Sequence, residues 1–314
     1  MTVFSTADAK VLMPRVIADG MIKDAKTDST VARLSNREPM RFGEVDYITF
    51  NDFPKMEYVE EGADKASTST SFGSVTAKPH KGQVTLRFNE EVQWADEDYQ
   101  LGILREVAAA GKVALSRGLD LGLYHRINPL TGSVIGGWTN YVTASTKRVE
   151  QGAADADEDF RAAVGLLINT SKQVNGAAID PKFAWALANL KRKDGAGETS
   201  DLRYPQLGFG TNITDFSGVP VAQGDTVSGV PEAADTGVRA IVGDFRNGIR
   251  WGVQRELPVE IIRYGDPDGQ GDLKRKNQIA LRLEIVYGWY VFADRFAVIE
   301  AGGDDAPEDG EEDD

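Results

Sequence analysis

The chain has 314 residues, 41% hydrophobic and 27% charged, with no cysteine and a formal net charge of -14. That balance suits a globular protein with room for about two domains, and the missing cysteine excludes disulfides, thiolate-bound metals and a cysteine nucleophile. No apolar run approaches the roughly 20 residues of a membrane span, Asp8 and Lys10 interrupt any signal-peptide core, and nothing matches the basic stripe of a sequence-reading nucleic-acid binder.

Residues 1–40 read as an arm. Pro14 opens a short predicted helix over 15–26, with Val16, Ile17, Gly20 and Met21 on one face. Residues 27–39 turn polar and suit an extension packed on a partner or on the chain's own body. Residues 45–50 (VDYITF) predict a strand. Residues 57–88 then predict a long two-stranded excursion with its tip near 64–71. In its return leg Val84, Leu86 and Phe88 share one face, Thr85 and Arg87 the other. A two-stranded hairpin is marginal alone in water, so it needs support; composition by itself fits a disordered surface loop equally well.

Residues 95–125 predict one long helix, about 45 Å at 1.5 Å per residue. Asp96, Glu97 and Asp98 place negative charge at its N-terminus. Ala108, Gly111, Ala114, Gly118 and Gly122 recur every three or four residues as a stripe of small side chains. Mid-helix glycine costs about 1 kcal/mol relative to alanine, so another piece of backbone is expected against the stripe, and leucine at Gly118 is expected to overpack. An ordinary buried helix is the plainer reading.

Residues 128–137 predict a turn-rich connector and 138–144 a strand. A helix follows from Asp155 to about Val174, with Phe160, Ala163, Val164, Leu167 and Ser171 on its apolar face and Asn175-Gly176 as its stop. Residues 177–179 predict a buried strand. Asp180-Pro181 caps a helix over 181–190, whose C-terminus Lys191, Arg192 and Lys193 suit electrostatically. Residues 195–198 predict a loop. Strands are expected at 211–216, 219–222, 240–243, 249–253, 259–264, 279–286 and 296–300.

No catalytic, cofactor-binding or metal-ligating residue is assigned. His80 and His125 are the only histidines, and no phosphate-binding, nucleophile-elbow or zinc motif occurs. The Asp266–Asp272 loop lacks the spacing and terminal glutamate of a calcium loop and reads as a solvated turn. Asp155 to Asp159 read as helix N-terminal charge.

The order of these pieces resembles the major capsid proteins of tailed bacteriophages, a fold shared with encapsulin shells. The arm matches 13–34. The family's extended E-loop resembles 60–65 (EEGADK) with 71–76 (SFGSVT), and its spine helix resembles 96–125. The axial domain resembles 155–193, with 216–221 (FSGVPV) as a later strand. The closing strands resemble 277–282 (NQIALR) and 294–299 (DRFAVI).

The resemblance implies an α+β capsid fold divided as follows: an arm over 1–44, E-loop and flanking strands over 45–93, and a peripheral domain with spine helix over 94–150. An axial domain spans 151–264, closing peripheral strands 265–303, and a disordered acidic tail 304–314. It implies no enzyme and no cofactor. It implies a virion capsid protein, assembled in the bacterial host cytoplasm as hexamers and pentamers of an icosahedral shell around double-stranded DNA. Partners would be a portal, a separate scaffolding protein (no long helical extension precedes the arm), and an optional decoration protein, with no membrane. An encapsulin-like cage with protein cargo is the same-fold alternative, and a soluble enzyme of unrecognised type the other. The resemblance also raises a covalent link between Lys65 and Asn277, although a loop lysine is ordinarily just solvated. Residues 302–314 carry eight acidic groups and no basic one. The tail is expected on the shell's outer surface, away from packaged phosphate.

Overall fold

Alternating side-chain burial explains how two sheets share one body. The computed structural model describes residues 29–50, 56–62, 64, 67, 72–90, 111, 113–152, 155–194, 197–256 and 260–302. The expected helix at 15–26, most of the 64–71 tip with Lys65, the first half of the long helix and the segment 304–314 lie outside these residues.

In chain order the elements begin with helix α1 (Thr30–Leu34), strands β1 (Val45–Phe50) and β2 (Phe72–Asn89), and helix α2 (113–125). Strand β3 (Arg148–Gln151), helix α3 (Ala156–Asn169), strand β4 (Gly176–Ile179) and helix α4 (Pro181–Ala188) follow. Strands β5 (Lys191–Asp194), β6 (Gly197–Leu202), β7 (Asp215–Phe216), β8 (Val219–Gln223) and β9 (Val238–Gly243) come next. Helix α5 (Phe245–Gly248) and strands β10 (Ile249–Glu256), β11 (Glu260–Ile262), β12 (Gln278–Val291) and β13 (Phe296–Ala301) complete the series.

One sheet has the order β3-β13-β9-β4-β8-β7. Its central strands are covered on both faces. Ala177, Ile179, Ala240, Val242, Ala297 and Ile299 pack with Phe160, Leu167, Phe183 and Leu187 of α3 and α4. The intervening Ala178, Ile241 and Val298 pack with Leu115, Leu119, Leu123 and Tyr124 of α2. Period-two alternation thus feeds two cores from one sheet. The second sheet runs β1-β2-β12-β10, with β11 also on β12, and every pairing is antiparallel. β2 is its long member: it pairs with β1 through Phe72 to Ala77 and with β12 through Lys78 to Asn89.

Several expectations change. No strand forms at 138–144; those residues are irregular, with a 3-10 turn at Val142–Ala144. The strand comes later, where Arg148–Gln151 pairs with β13. α3 ends at Asn169 rather than near Val174, because Ser171 turns left-handed (φ 57°). Lys172 N–H reaches Leu167 O and Ser171 N–H reaches Ile168 O, a closing motif that usually recruits glycine. Lys191, Arg192 and Lys193 do not solvate a helix end; they form β5 and pair with β6, which takes in the expected loop at 197–198. Of 211–216 only Asp215–Phe216 is a strand.

Sheet pairing also distributes the late strands differently from the expected boundaries. β10 and β11, expected in the axial domain, pair with β12, while β13, expected among the peripheral strands, joins β3 and β9. Hydrogen bonding follows the alternation of apolar residues, which ignores chain order.

Of the stripe's residues, Gly118 and Gly122 differ in how closely they are packed. A Cβ on Gly122 would lie 3.2 Å from both Trp138 and Trp289, so aromatic side chains, not backbone, occupy that face. At Gly118 the neighbour is Pro129, at an ordinary 3.8 Å. The overpacking expected at Gly118 therefore belongs to Gly122.

Candidate assembly interface

Two features bear on assembly, one projecting from the body and one strapped along it. The first is the β1/β2 hairpin. Among the described side chains of β2 only Ala77 is buried, and Ile48 on β1 is 73% exposed. Phe42, Met56 and Tyr58, on the segments before and after β1, are also largely exposed. Isolated exposed apolar residues are ordinary, but several on one protrusion mark a surface built to be covered. Val84, Leu86 and Phe88 are only half-buried, and so are Thr85 and Arg87 between them, so the expected alternation does not appear as a difference in burial.

The second is the segment 29–40, which runs over the body and is fastened twice. Asp120 of α2, 2% exposed, accepts hydrogen bonds from the Ser29 hydroxyl, Thr30 N–H (2.9 Å), Thr30 Oγ1 (2.7 Å), Val31 N–H (3.3 Å) and Thr226 Oγ1 (2.9 Å). Burial pushes its carboxyl above the usual range, and those donors oppose the shift by favouring the charged form. Further on, Glu38 N–H reaches Trp251 O at 2.9 Å, Trp251 Nε1 donates to Ser35 Oγ at 2.7 Å, and Arg250 pairs with Glu38. Of the two readings of 27–39, packing on the chain's own body is the one seen over 29–39. Its anchor Asp120 carried no signal, since nothing in a helical pattern says which carboxylate will meet residues some ninety positions away.

Charged groups elsewhere brace the frame. Arg117 joins α2 to Asp225 (2.7 Å), Glu232 and Val230 O (2.8 Å). The Asp266–Asp272 loop is no free turn. It wraps the Arg87 guanidinium, which pairs with Asp266 (3.3 Å) and Asp268 and donates to Gly271 O (3.0 Å). The Asp155 to Asp159 cluster is more than helix-end charge. Asp157 is 1% exposed and takes Arg203 and Tyr204 at 2.7 Å each, tying α3 to the segment after β6.

Among the described residues neither histidine has a carboxylate hydrogen-bond partner. His125 is buried with Nε2 2.8 Å from Val227 O, and burial pushes it down to about 4, so its neutral ring donates. His80 stacks on Trp289 at a 3.8 Å centroid distance and is likewise pushed to about 4, by burial and then by Lys78. Asn277 is left-handed (φ 54°) in the turn leading into β12. No group of three or more histidines and carboxylates fit for a metal exists among the described residues.

A protruding hairpin with exposed apolar side chains and a segment strapped along the body suit a subunit whose surfaces are covered by neighbours. The chain belongs to the phage capsid family, whose model matches residues 9–299. A solved structure from Mycobacterium phage Ogopogo is 42% identical, with a TM-score of 0.76 over 88% of this chain and 92% of that one. One from Gordonia phage Cozz is 27% identical, with a TM-score of 0.75 over 88% and 87%. The capsid of a native GTA particle is similar in fold alone, at 15% identity and a TM-score of 0.56 over 89% and 91%. Comparison with curated protein sequences finds no match. The protein is thus a structural major capsid protein of a phage virion, not an enzyme, and it assembles with its own kind. These relatives do not favour the encapsulin cage.

Proposed function

We propose that copies of this chain form the hexamers and pentamers of an icosahedral shell around double-stranded DNA. Assembly takes place in the host cytoplasm on a separate scaffolding protein and a portal, and a decoration protein is an optional later partner. The observation that carries this reading is β2, which extends far beyond the cover its own subunit provides. An exposed sheet edge invites pairing unless something covers it, and a neighbouring copy supplies that cover. In this reading 45–89 is the E-loop region and 113–125 the spine. The β3-β13-β9-β4-β8-β7 sheet with α3 and α4 is the axial domain, and the sheet of β2, β10, β11 and β12 the peripheral one. DNA is contacted without sequence specificity, in keeping with a body that is itself mildly acidic.

Deleting residues 64–71 tests the central claim. The isolated subunit keeps its melting temperature, because the deletion spares both cores, while shells, followed by electron microscopy in the presence of the scaffold, fail to close. Normal shells from the deletion variant would overturn the reading of the hairpin. Nuclease-protected nucleic acid in particles purified from infected cells tests the cargo, and a protein cargo instead would restore the cage alternative.

A further inference from the structure

The loop over 204–210 displays an aromatic ring that its own subunit does not bury. Both ends of the loop are held. Tyr204 meets Phe216 edge to face at a 5.2 Å centroid distance and donates to Asp157 at 2.7 Å, and Leu207 packs on the same core. A 3-10 turn over Pro205–Leu207 leads into Gly208 (φ 56°), and Gly210 (φ 73°) follows Phe209. Glycine adopts such left-handed angles without a steric penalty. Gly210 is also pressed onto α4, where a Cβ would lie 2.5 Å from Ala184 O and 3.1 Å from Ala188 Cβ. Gln223 Nε2 donates to Gly210 O at 3.0 Å and fixes the turn from a second side. Between these fixed points Phe209 is 78% exposed and belongs to neither core.

A second exposed aromatic stands on α4 itself. Trp185, 56% exposed, walls an open cleft of about 530 Å³ with Gln151, Pro181, Lys182, Ala186 and Arg239. The charges of this cleft are matched within the subunit. Lys182 Nζ lies 2.7 Å from Asp235 Oδ2, and the buried Arg239 lies 2.8 Å from Asp235 Oδ1 and also faces Asp180. The cleft therefore suits a neutral apolar guest rather than an ion. Lys182, Trp185 and Ala186 each lie at least about 100° around the helix from Ala184, on which the loop rests. Ring and cleft thus occupy different sides of one helix, and the exposure of Phe209 shows that it does not fill the cleft of its own subunit.

We propose that Phe209 of one copy inserts beside Trp185 in the cleft of a neighbouring copy. This rests on the reading of the chain as a shell subunit and names one contact within the shell. The protein assembles with its own kind, so every copy brings both halves of the contact. The halves are different surfaces, so the contact is heterologous: each copy gives a ring to one neighbour and accepts one from another. Contacts of that type generate closed rings when the rotation closes, which is what hexamers and pentamers require. A buried aromatic anchor seated in a pocket is a common source of binding energy at interfaces, and a second ring at the pocket wall adds an edge-to-face or offset partner.

Photo-crosslinking of the full-length chain tests this. Benzoylphenylalanine in place of Phe209 keeps an aromatic ring and links it on illumination to whatever lies against it. In particles assembled from two isotopic labels, mass spectrometry should find links from position 209 to residues 181–186 or Gln151 that join the two labels. Links confined to one label, or made to other segments, overturn the proposal. Phe209→Ser and Trp185→Ser, both at exposed positions, decide the matter if the larger probe itself blocks assembly. Each should leave the melting temperature of the isolated subunit unchanged and lower the yield of assembled particles several-fold, and Phe209→Leu should recover most of the loss. The double variant should be no worse than either single one, because both remove the same contact. Parental yields, losses that multiply, or a lowered melting temperature overturn the proposal. Open rings that carry the mixed-label links would support this contact while failing the reading of a closed shell.

Discussion

The two sheets solve opposite problems. In the sheet centred on β4 and β9 every residue of those two strands is buried, and helices on one side and α2 on the other close both faces. In the other sheet β12 is mostly buried, while its neighbour β2 leaves the shared core and carries β1 with it. The first sheet is finished within the subunit; the second is finished only when another molecule covers it. Damage to the first should therefore appear as lost stability, and damage to the second as lost assembly.

The largest effect is expected where the regions are joined. Asp120→Ala leaves the donors of Ser29, Thr30, Val31 and Thr226 without their acceptor and should cost about 3 kcal/mol in chemical denaturation. A loss below about 1 kcal/mol would mean that the strapped segment contributes little to the folded body.

The pH response comes next. The native pKa of His125 lies near 4, below the ordinary 6.5, so the native state binds fewer protons than the unfolded chain. Its contribution is complete above pH 6.5 and is lost as pH falls toward 4, by at most about 3 kcal/mol. Replacement by glutamine should make denaturation midpoints less steeply dependent on pH across that window, leaving the share of His80, which is also pushed down to about 4. Parallel curves for both proteins would assign the acid sensitivity elsewhere.

Gly122→Leu should destabilise by about 1–3 kcal/mol through collision with Trp138 and Trp289, although leucine is the better helix former. Gly118→Ala should instead gain up to about 1 kcal/mol, since Pro129 leaves room for a methyl. Equal effects at the two positions would show that the stripe packs uniformly. The smallest stability change, within about 0.5 kcal/mol, is expected for Ile48→Ser on the exposed hairpin. That variant is the sharpest test of the contrast: its melting curve should overlay the parent's while its shell yield drops.

Local chemistry was legible from the sequence. Asp180 accepts Lys182 N–H at 2.8 Å with Pro181 in the first turn, and the apolar spacing of α3 gave its buried face. The strand at 45–50 has the boundaries read from its β-prone residues. These features depend on residues within a turn or two of one another, so the pattern contains the cause. The Asp120 hub, the enclosure of Arg87 by the Asp266–Asp272 loop, the pairing of β5 with β6 and the exchange of β10 and β13 between sheets depend on which distant segments meet. A carboxylate or a lysine carries the same local signature whether water or a partner ninety residues away satisfies it, and only the tertiary structure supplies that partner.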